Sequence, residues 1–391
     1  MPTIAEQAKA LQERTVAVRR DLHRHPEIAF EEHRTMGVIV ARLRELGLEP
    51  REGVGGTGVV AVFDTGRSGP TVLARADMDA LPVAEEKSVE YRSTVPGKMH
   101  ACGHDGHVAV LLSVAEIIIA RAAQLAGRVV FVFQPAEEVV RGAQAMLADG
   151  ALDGIAVDHV IGLHLSSNDP LGTVAVREGP AMAATDSFKL VVTGRGGHAA
   201  YPHACIDPIV AGSQLVMALQ TLVSRETDPV DQSVLSITSF HGGTAYNIIP
   251  EEVELKGTLR TFDAATRTRL RARVLEVAEG TVRTLRCTLR SEWFEGTQAV
   301  VNDAASVARF RDVAARVVGK AGVRLQAPIM GGDDMALWLA QARGCYFFVG
   351  TNSGPDTAWA HHHSRFDVDE RGLEIAVNLL ASGVADLMSG D

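Results

Sequence analysis

Short runs of Val, Ile, Leu and Phe alternate along the chain with longer stretches whose apolar residues recur every three to four positions. The runs at 71–76, 128–133, 159–165 and 345–350 read as buried strands, and 107–122, 143–149, 335–341 and 373–387 read as helices. Strands alternating with helices predict βα units around a mostly parallel sheet. The middle of the chain has a different rhythm: a strand at 187–193, a helix at 207–224, alternating strands at 233–241 and 251–261, a helix at 264–285 and a strand at 286–294. That order, β-α-β-β-α-β, is the ferredoxin-like split βαβ unit. The pattern therefore predicts an α/β chain. Residues 1–183 and 295–391 form a mostly parallel-sheet domain, and 184–294 an inserted ferredoxin-like domain. A length of 391 residues suits two cores rather than one.

Composition narrows the partners. The formal net charge of −10, with no stripe of clustered Lys and Arg, argues against a nucleic-acid partner. Cys102, Cys205, Cys287 and Cys345 lie far apart and form no C-x-x-C pair. The amino terminus, M-P-T-I-A-E-Q-A-K-A-L-Q-E-R, is patterned as a polar amphipathic helix rather than a signal peptide. The most apolar helical stretch, 108–120, is broken by Glu116 and is too short to span a bilayer. The expectation is a soluble protein of a reducing compartment, the cytoplasm, with no membrane partner.

Side chains able to bind a cation or carry a proton fall where the predicted strands end, the edge at which open α/β sheets bind ligands. The first strand runs into Asp77-Met78-Asp79, the second into Gln134-Pro135-Ala136-Glu137-Glu138, and the third carries His164 near its end. The fourth is followed, after a loop, by His361-His362-His363. The segment M-H-A-C-G-H-D-G-H at 99–107 ends where a helix begins, so its loop can face the same edge. Alone, His164 reads as structural; five such places on one rim point to a metal site. In Cys102-Gly103-His104 an extended backbone projects positions i and i+2 to one side, so thiolate and imidazole can share a centre. Two alternatives stand beside this. A Cys/His nucleophilic pair leaves Glu137, Glu138 and His164 without a role. A helix start merely capped by these residues suits Asp105 and His107 better than Cys102. Glu137 and Glu138 are neighbours that point different ways, so one suits a metal and the other the proton of a bound water. The alternative there is a solvated acidic turn.

Together these residues resemble the dinuclear metallohydrolases related to aminoacylase and bacterial carboxypeptidases. The nearest branch is that of plant auxin-conjugate (IAA-amino acid) hydrolases, hippurate hydrolases and bacterial N-acyl-amino-acid amidohydrolases. The resemblance spans nearly the whole chain. It runs through D-L-H-R-H-P-E at 21–27, R-A-D-M-D-A-L-P at 75–82, M-H-A-C-G-H-D-G-H at 99–107, F-Q-P-A-E-E at 133–138 and G-L-H at 162–164. It continues in G-R-G-G-H-A-A-Y-P-H at 194–203, N-I-I-P at 247–250 and H-H-S-R-F-D at 362–367.

The resemblance implies two divalent ions, zinc, manganese, cobalt or nickel, held by Cys102, His104, Glu138, His164 and His362, with Cys102 as the bridge. It makes Glu137 the general base that activates a bridging water and later protonates the leaving amine. His198, on the inserted lid and dimerisation domain, reaches the scissile carbonyl, in relatives often from a partner subunit. Asn247 and Arg260 hold the substrate's polar groups or carboxylate. Their bland readings are a turn before Pro250 and an exposed strand position. Asp77, Asp79 and Asp105 support the ligands, while His100 and His107 read as supporting or structural.

The implied activity is metal-dependent hydrolysis of N-acyl-amino acids to a carboxylic acid and an amino acid, through a metal-bridging hydroxide, by a homodimer or higher homo-oligomer. A dipeptidase or carboxypeptidase acting on short peptides is the alternative on the same scaffold. A non-catalytic metal- or ligand-binding relative is the alternative from another class. Two positions depart from the family pattern. Ser364 stands where relatives carry Pro, so distance to Phe366 selects His362 from the three histidines. Asp333-Asp334-Met335 replaces Glu-Asp-Phe in a segment that lies near the substrate pocket in the family.

Overall fold

The apolar runs of the sequence become the middle of an eight-stranded sheet in the computed structural model, which describes residues 1–389. Across the sheet the strands are Arg51–Val54, Gly58–Asp64, Arg128–Gln134, Thr71–Asp77, His159–Pro170, Arg343–Asn352, Val174–Val176 and Val323–Leu325. Neighbours among the four from Arg128–Gln134 to Arg343–Asn352 are parallel, while Arg51–Val54 and Gly58–Asp64 add antiparallel edges. Every residue of Thr71–Asp77 is buried, as a parallel strand covered on both faces requires. The helices Ile4–Arg24, His104–Ala120 and Arg371–Met388 pack against one another beside this sheet. His104–Ala120 is buried almost all round, which explains its near-continuous apolar sequence.

Register sets the functional edge. Asp77 pairs with Gln134, and Arg75 pairs with Gly162, so His164 lies two residues on, at the level of Asp77. The carboxyl ends of three strands thus bring Asp77, the segment after Gln134 and His164 to one rim.

By its contacts the chain divides into two units. One comprises Met1–Ala181, Val300–Ala327 and the chain from Asp333 onward; the other comprises Met182–Ala299 with Pro328–Gly332. The second has an antiparallel sheet ordered Ser233–His241, Glu252–Thr261, Ala184–Thr193 and Thr288–Glu295, with helices Pro208–Glu226 and Ala264–Thr284. Its chain order is β-α-β-β-α-β around a core of Phe188, Leu190, Leu215, Leu255 and Leu270. Asp207 and Asp263 start its helices by accepting backbone N–H groups from Ile209, Val210 and Thr266.

Several elements escape the pattern reading. The helices His33–Glu45 and Ala304–Val318 are additional, as are the short strands Arg51–Val54, Val174–Val176 and Val323–Leu325. Three or four residues are too few for a period to register. No helix among the described residues is long and apolar enough to cross a membrane.

Candidate metal centre

The central helix begins at His104, three residues before the sequence pattern places it, because Gly103 takes a left-handed conformation with φ +92°. Only glycine adopts this without strain. Cys102 and His104 therefore meet through a tight turn into a helix, which corrects the extended i, i+2 arrangement expected from the sequence. The buried His104 ring turns Nδ1 to the Asp79 backbone carbonyl at 2.9 Å and to Asp79 Oδ1 at 3.3 Å. With Nδ1–H donated, the neutral ring has its lone pair on Nε2, and that buried atom has no hydrogen-bond partner among the described residues. It lies 3.6 Å from Asp77 and 4.0 Å from both Glu137 and Glu138.

Cys102 Sγ stands 3.5 Å from His164 Nε2 and 3.8 Å from His361 Nδ1. His164 Nδ1 donates to the Leu165 carbonyl at 2.7 Å, which directs Nε2 at the sulfur. Cys102, His104 and Glu138 form a second group whose donor atoms all lie within 4.8 Å of one another. Glu138 Oε1 is buried without a hydrogen bond among the described residues, while Oε2 lies 3.3 Å from His362 Nε2. The His362 side chain is 54% exposed. Backbone in the left-handed region flanks the site at Ala136, φ +54°, and His362, φ +69°. Such conformations cluster where surrounding structure over-determines the chain.

The electrostatics fit a bound cation and disfavour a nucleophilic thiol. Burial pushes the Cys102 thiol well up, and the charges of Glu138, Glu137 and Asp77 push it further. Reactive cysteines need electropositive surroundings, and these are acidic. Burial also raises Glu137 well above the carboxylate range, reinforced by Asp333, Glu138, Asp334 and Asp77. Burial lifts Glu138 to about 7 against the pull of His104. His104 is the reverse case: burial would lower it, but Asp77, Asp79 and Glu138 together push it up to about 10. A thiol, imidazoles and carboxylates buried together, with an orphaned imidazole nitrogen and carboxylate oxygen, form a donor set suited to divalent metal ions.

Beneath the donors lies a network that the sequence reading did not assemble. The buried Arg75 donates to Asp77 at 2.6 Å, Gln134 at 2.9 Å, and Asp333 and Asp334 at 3.1 Å each. Asp77 in turn holds His107 Nδ1 at 2.5 Å, and His107 Nε2 accepts the Leu165 N–H at 2.9 Å. Asp333 and Asp334 are fully enclosed, their carboxylates within 4.8 Å of that of Glu137. The segment expected beside a substrate pocket is thus packed against Glu137. One sequence signal pointed this way: Arg75 sits two residues before Asp77 on a buried strand, hence on the same face. Asp105 does not cap its helix; it binds Arg19 Nε at 2.9 Å and His23 Nδ1 at 2.7 Å.

The remaining expected residues belong to the second unit. His198 is exposed on the two-residue strand Gly197–His198, paired with Ile248–Ile249, and its Nδ1 accepts the Ala200 N–H at 3.0 Å. Asn247 precedes that partner strand, and its carbonyl accepts the Ala199 N–H at 2.9 Å. Arg260 lies near the end of Glu252–Thr261, half-buried over the carbonyls of Leu259 and Asp186.

The profile described as Peptidase family M20/M25/M40 matches residues 73–386. N-acetyl-L-cysteine deacetylase of Bacillus subtilis (strain 168) is 39% identical over 363 residues, covering 93% of this chain and 85% of that protein. IAA-amino acid hydrolase ILR1-like 2 of Arabidopsis thaliana is 38% identical over 371 residues, covering 94% of this chain and 83% of that one. Among solved structures, the YXEP protein of Bacillus subtilis, a dinuclear metal binding peptidase from the M20 family, matches with a TM-score of 0.85 at 34% identity. That match covers 98% of this chain and 99% of the other. With the sheet, the donor cluster and these similarities in agreement, the chain belongs to the M20/M25/M40 peptidase family.

Proposed function

We propose that this protein is a metal-dependent amidohydrolase that cleaves N-acyl-amino acids to a carboxylic acid and an amino acid, using two divalent ions held by Cys102, His104, Glu138, His164 and His362. The observation that carries this is the buried donor set around Cys102 with the Glu137 carboxylate beside it. When bound, the ions would polarise the amide carbonyl and acidify water. Glu137 takes the proton of the attacking water and returns it to the departing nitrogen. Burial, reinforced by the charges of Asp333, Glu138 and Asp334, raises its affinity for a proton, which favours the first of these steps. His198 donates a hydrogen bond to the developing oxyanion. Asn247 and Arg260 bind the substrate's polar end, and Asp77 and Asp79 support the ligands, whereas Asp105, expected with them, instead binds Arg19 and His23. Thiolate and imidazoles suit zinc, while the carboxylate admits manganese, cobalt or nickel.

The working form is a homodimer through the inserted unit. In that unit Glu252 pairs with Thr193, close to His198 in the chain, while Arg260 pairs with Thr185 at the other end of the strand. Eight residues of strand separate the two by about 26 Å. His198 and Arg260 of one unit thus lie towards opposite ends of this strand, which supports His198 acting from a partner subunit. Exposed Ile209, Val210, Met217, Phe240 and Ile248 on this unit offer apolar surface for that partner. Four buried free cysteines suit the cytoplasm.

The test is a hydrolysis screen of acetyl, benzoyl, long-chain acyl and peptidyl amino acids, with each metal supplied in turn. Release of amino acid from N-acyl substrates is the expected result. Cleavage confined to peptides with a free α-amino group would favour a dipeptidase. No hydrolysis, with ligand still bound, would favour a non-catalytic relative.

A further inference from the structure

The three consecutive histidines contribute more to the centre than one ligand. A tetrahedral ion with Zn–S near 2.3 Å and Zn–N near 2.0–2.1 Å separates its sulfur and nitrogen ligands by about 3.6 Å. Cys102 Sγ meets that spacing twice, at 3.5 Å to His164 Nε2 and 3.8 Å to His361 Nδ1. The same geometry separates nitrogen and oxygen ligands by about 3.4 Å. His362 Nε2 lies 3.3 Å from Glu138 Oε2, so His362 falls to the ion on the Glu138 side. The donors divide into two sets that share Cys102: Cys102, His164 and His361, and Cys102, His104 and Glu138. Without His361 the first set keeps only two protein donors, fewer than the three of a catalytic site.

His361 is also held in place. Its ring packs edge-on to His164 at 5.0 Å between centroids and against Phe366 at 4.8 Å. The next residue's N–H is anchored to the Ala101 carbonyl at 2.8 Å, which fixes the loop beside Cys102.

We infer that His361 Nδ1 is a direct ligand of the ion bound by Cys102 and His164, in addition to His362 on the other ion. This rests on the dinuclear reading above. It assigns four imidazoles to the pair of ions, two of them from adjacent residues of one loop.

The test is a competition titration of cobalt(II) and zinc(II) into metal-stripped wild-type protein and the His361→Gln and His362→Gln variants. The ligand-field absorption of the cobalt form is recorded alongside. Losing a residue that only supports a ligand weakens metal binding by about 10–100-fold. The expected result for His361→Gln is a loss beyond 100-fold for one of the two ions, with altered cobalt absorption. Loss below 100-fold, or an unchanged cobalt spectrum, would overturn the assignment and leave His361 a hydrogen-bonding neighbour of the thiolate. Should His361→Gln fail to fold, a crystal structure of the zinc-loaded wild type decides: Nδ1 within about 2.2 Å of zinc supports the proposal, and beyond 3 Å removes it. Wild-type protein that binds fewer than two ions would instead overturn the dinuclear reading itself.

Discussion

Asp79 Oδ1 accepts the backbone N–H of Glu137 at 3.0 Å. Its other oxygen accepts the N–H of Glu138, also at 3.0 Å, while its main-chain carbonyl faces His104 Nδ1 at 2.9 Å. One residue therefore fixes Glu137, Glu138 and His104, the proposed proton carrier and two proposed ligands, relative to one another. Asp79→Ala strands two buried N–H groups and loosens the His104 ring. Metal binding should weaken about 10–100-fold, as for other residues that hold metal ligands. Titration against a chelator measures this, and an unchanged affinity would remove Asp79 from the support of the site.

Arg75 joins parts of the chain that only folding brings together. Its guanidinium is the countercharge to Asp77, Asp333 and Asp334, and all four side chains are buried. Arg75→Met leaves those carboxylates enclosed without their cation, a change that typically destabilises by about 3–5 kcal/mol. Urea unfolding of the metal-free protein should reveal a loss of that order. A loss below about 1 kcal/mol would mean that the acids find another partner or protonate at little cost.

The contrast between Arg75 and Cys102 shows what a sequence makes legible. Glu138 and His164 can be read together because each ends or follows an apolar run, and parallel strands present such ends along one edge; Cys102 joins them by leading into an apolar helix that starts at that edge. Arg75 gains its meaning from Asp333, 258 positions away, which no local period encodes. A tight turn at Gly103 is legible from the glycine itself, but its left-handed φ is not, since apolar spacing records burial and not φ. Choosing among three adjacent histidines by distance to Phe366 selects His362. The left-handed backbone at that residue, φ +69°, lets His361 turn toward Cys102 as well.

Glu32 supplies a pH dependence. Fully buried, it accepts hydrogen bonds from Thr57 Oγ1 and from the Ala136 N–H just before the two glutamates. Burial pushes its carboxyl up to about 6, although both hydrogen bonds pull the other way. A carboxyl raised in the folded state favours folding below its unfolded value near 4.5, and that contribution is lost as pH rises through 6. Glu32→Gln removes the titration while keeping an acceptor for Ala136. Relative to wild type, the variant should gain about 2 kcal/mol of stability between pH 4.5 and 7, with little further change above. Parallel denaturation curves of the two metal-free proteins across that range test this; a constant difference contradicts it.

His198 and Glu137 are expected to act on one substrate from different chains. Glu137→Gln should lower kcat by about 10²–10⁴-fold while both ions stay bound. His198→Ala should lower it through loss of the oxyanion donor, by about 10²–10³-fold. Mixing the two variants and allowing subunits to exchange creates heterodimers in which one of two sites has Glu137 from one chain and His198 from the other. Random pairing makes half the dimers mixed, so activity should recover to about a quarter of wild type. If His198 served the site of its own chain, each mixed dimer would carry two defective sites and mixing would restore nothing. The strand from Glu252 to Arg260 is about 26 Å long, and the chain to His198 leaves from its Glu252 end, which favours recovery by setting His198 and Arg260 towards opposite ends of one inserted unit.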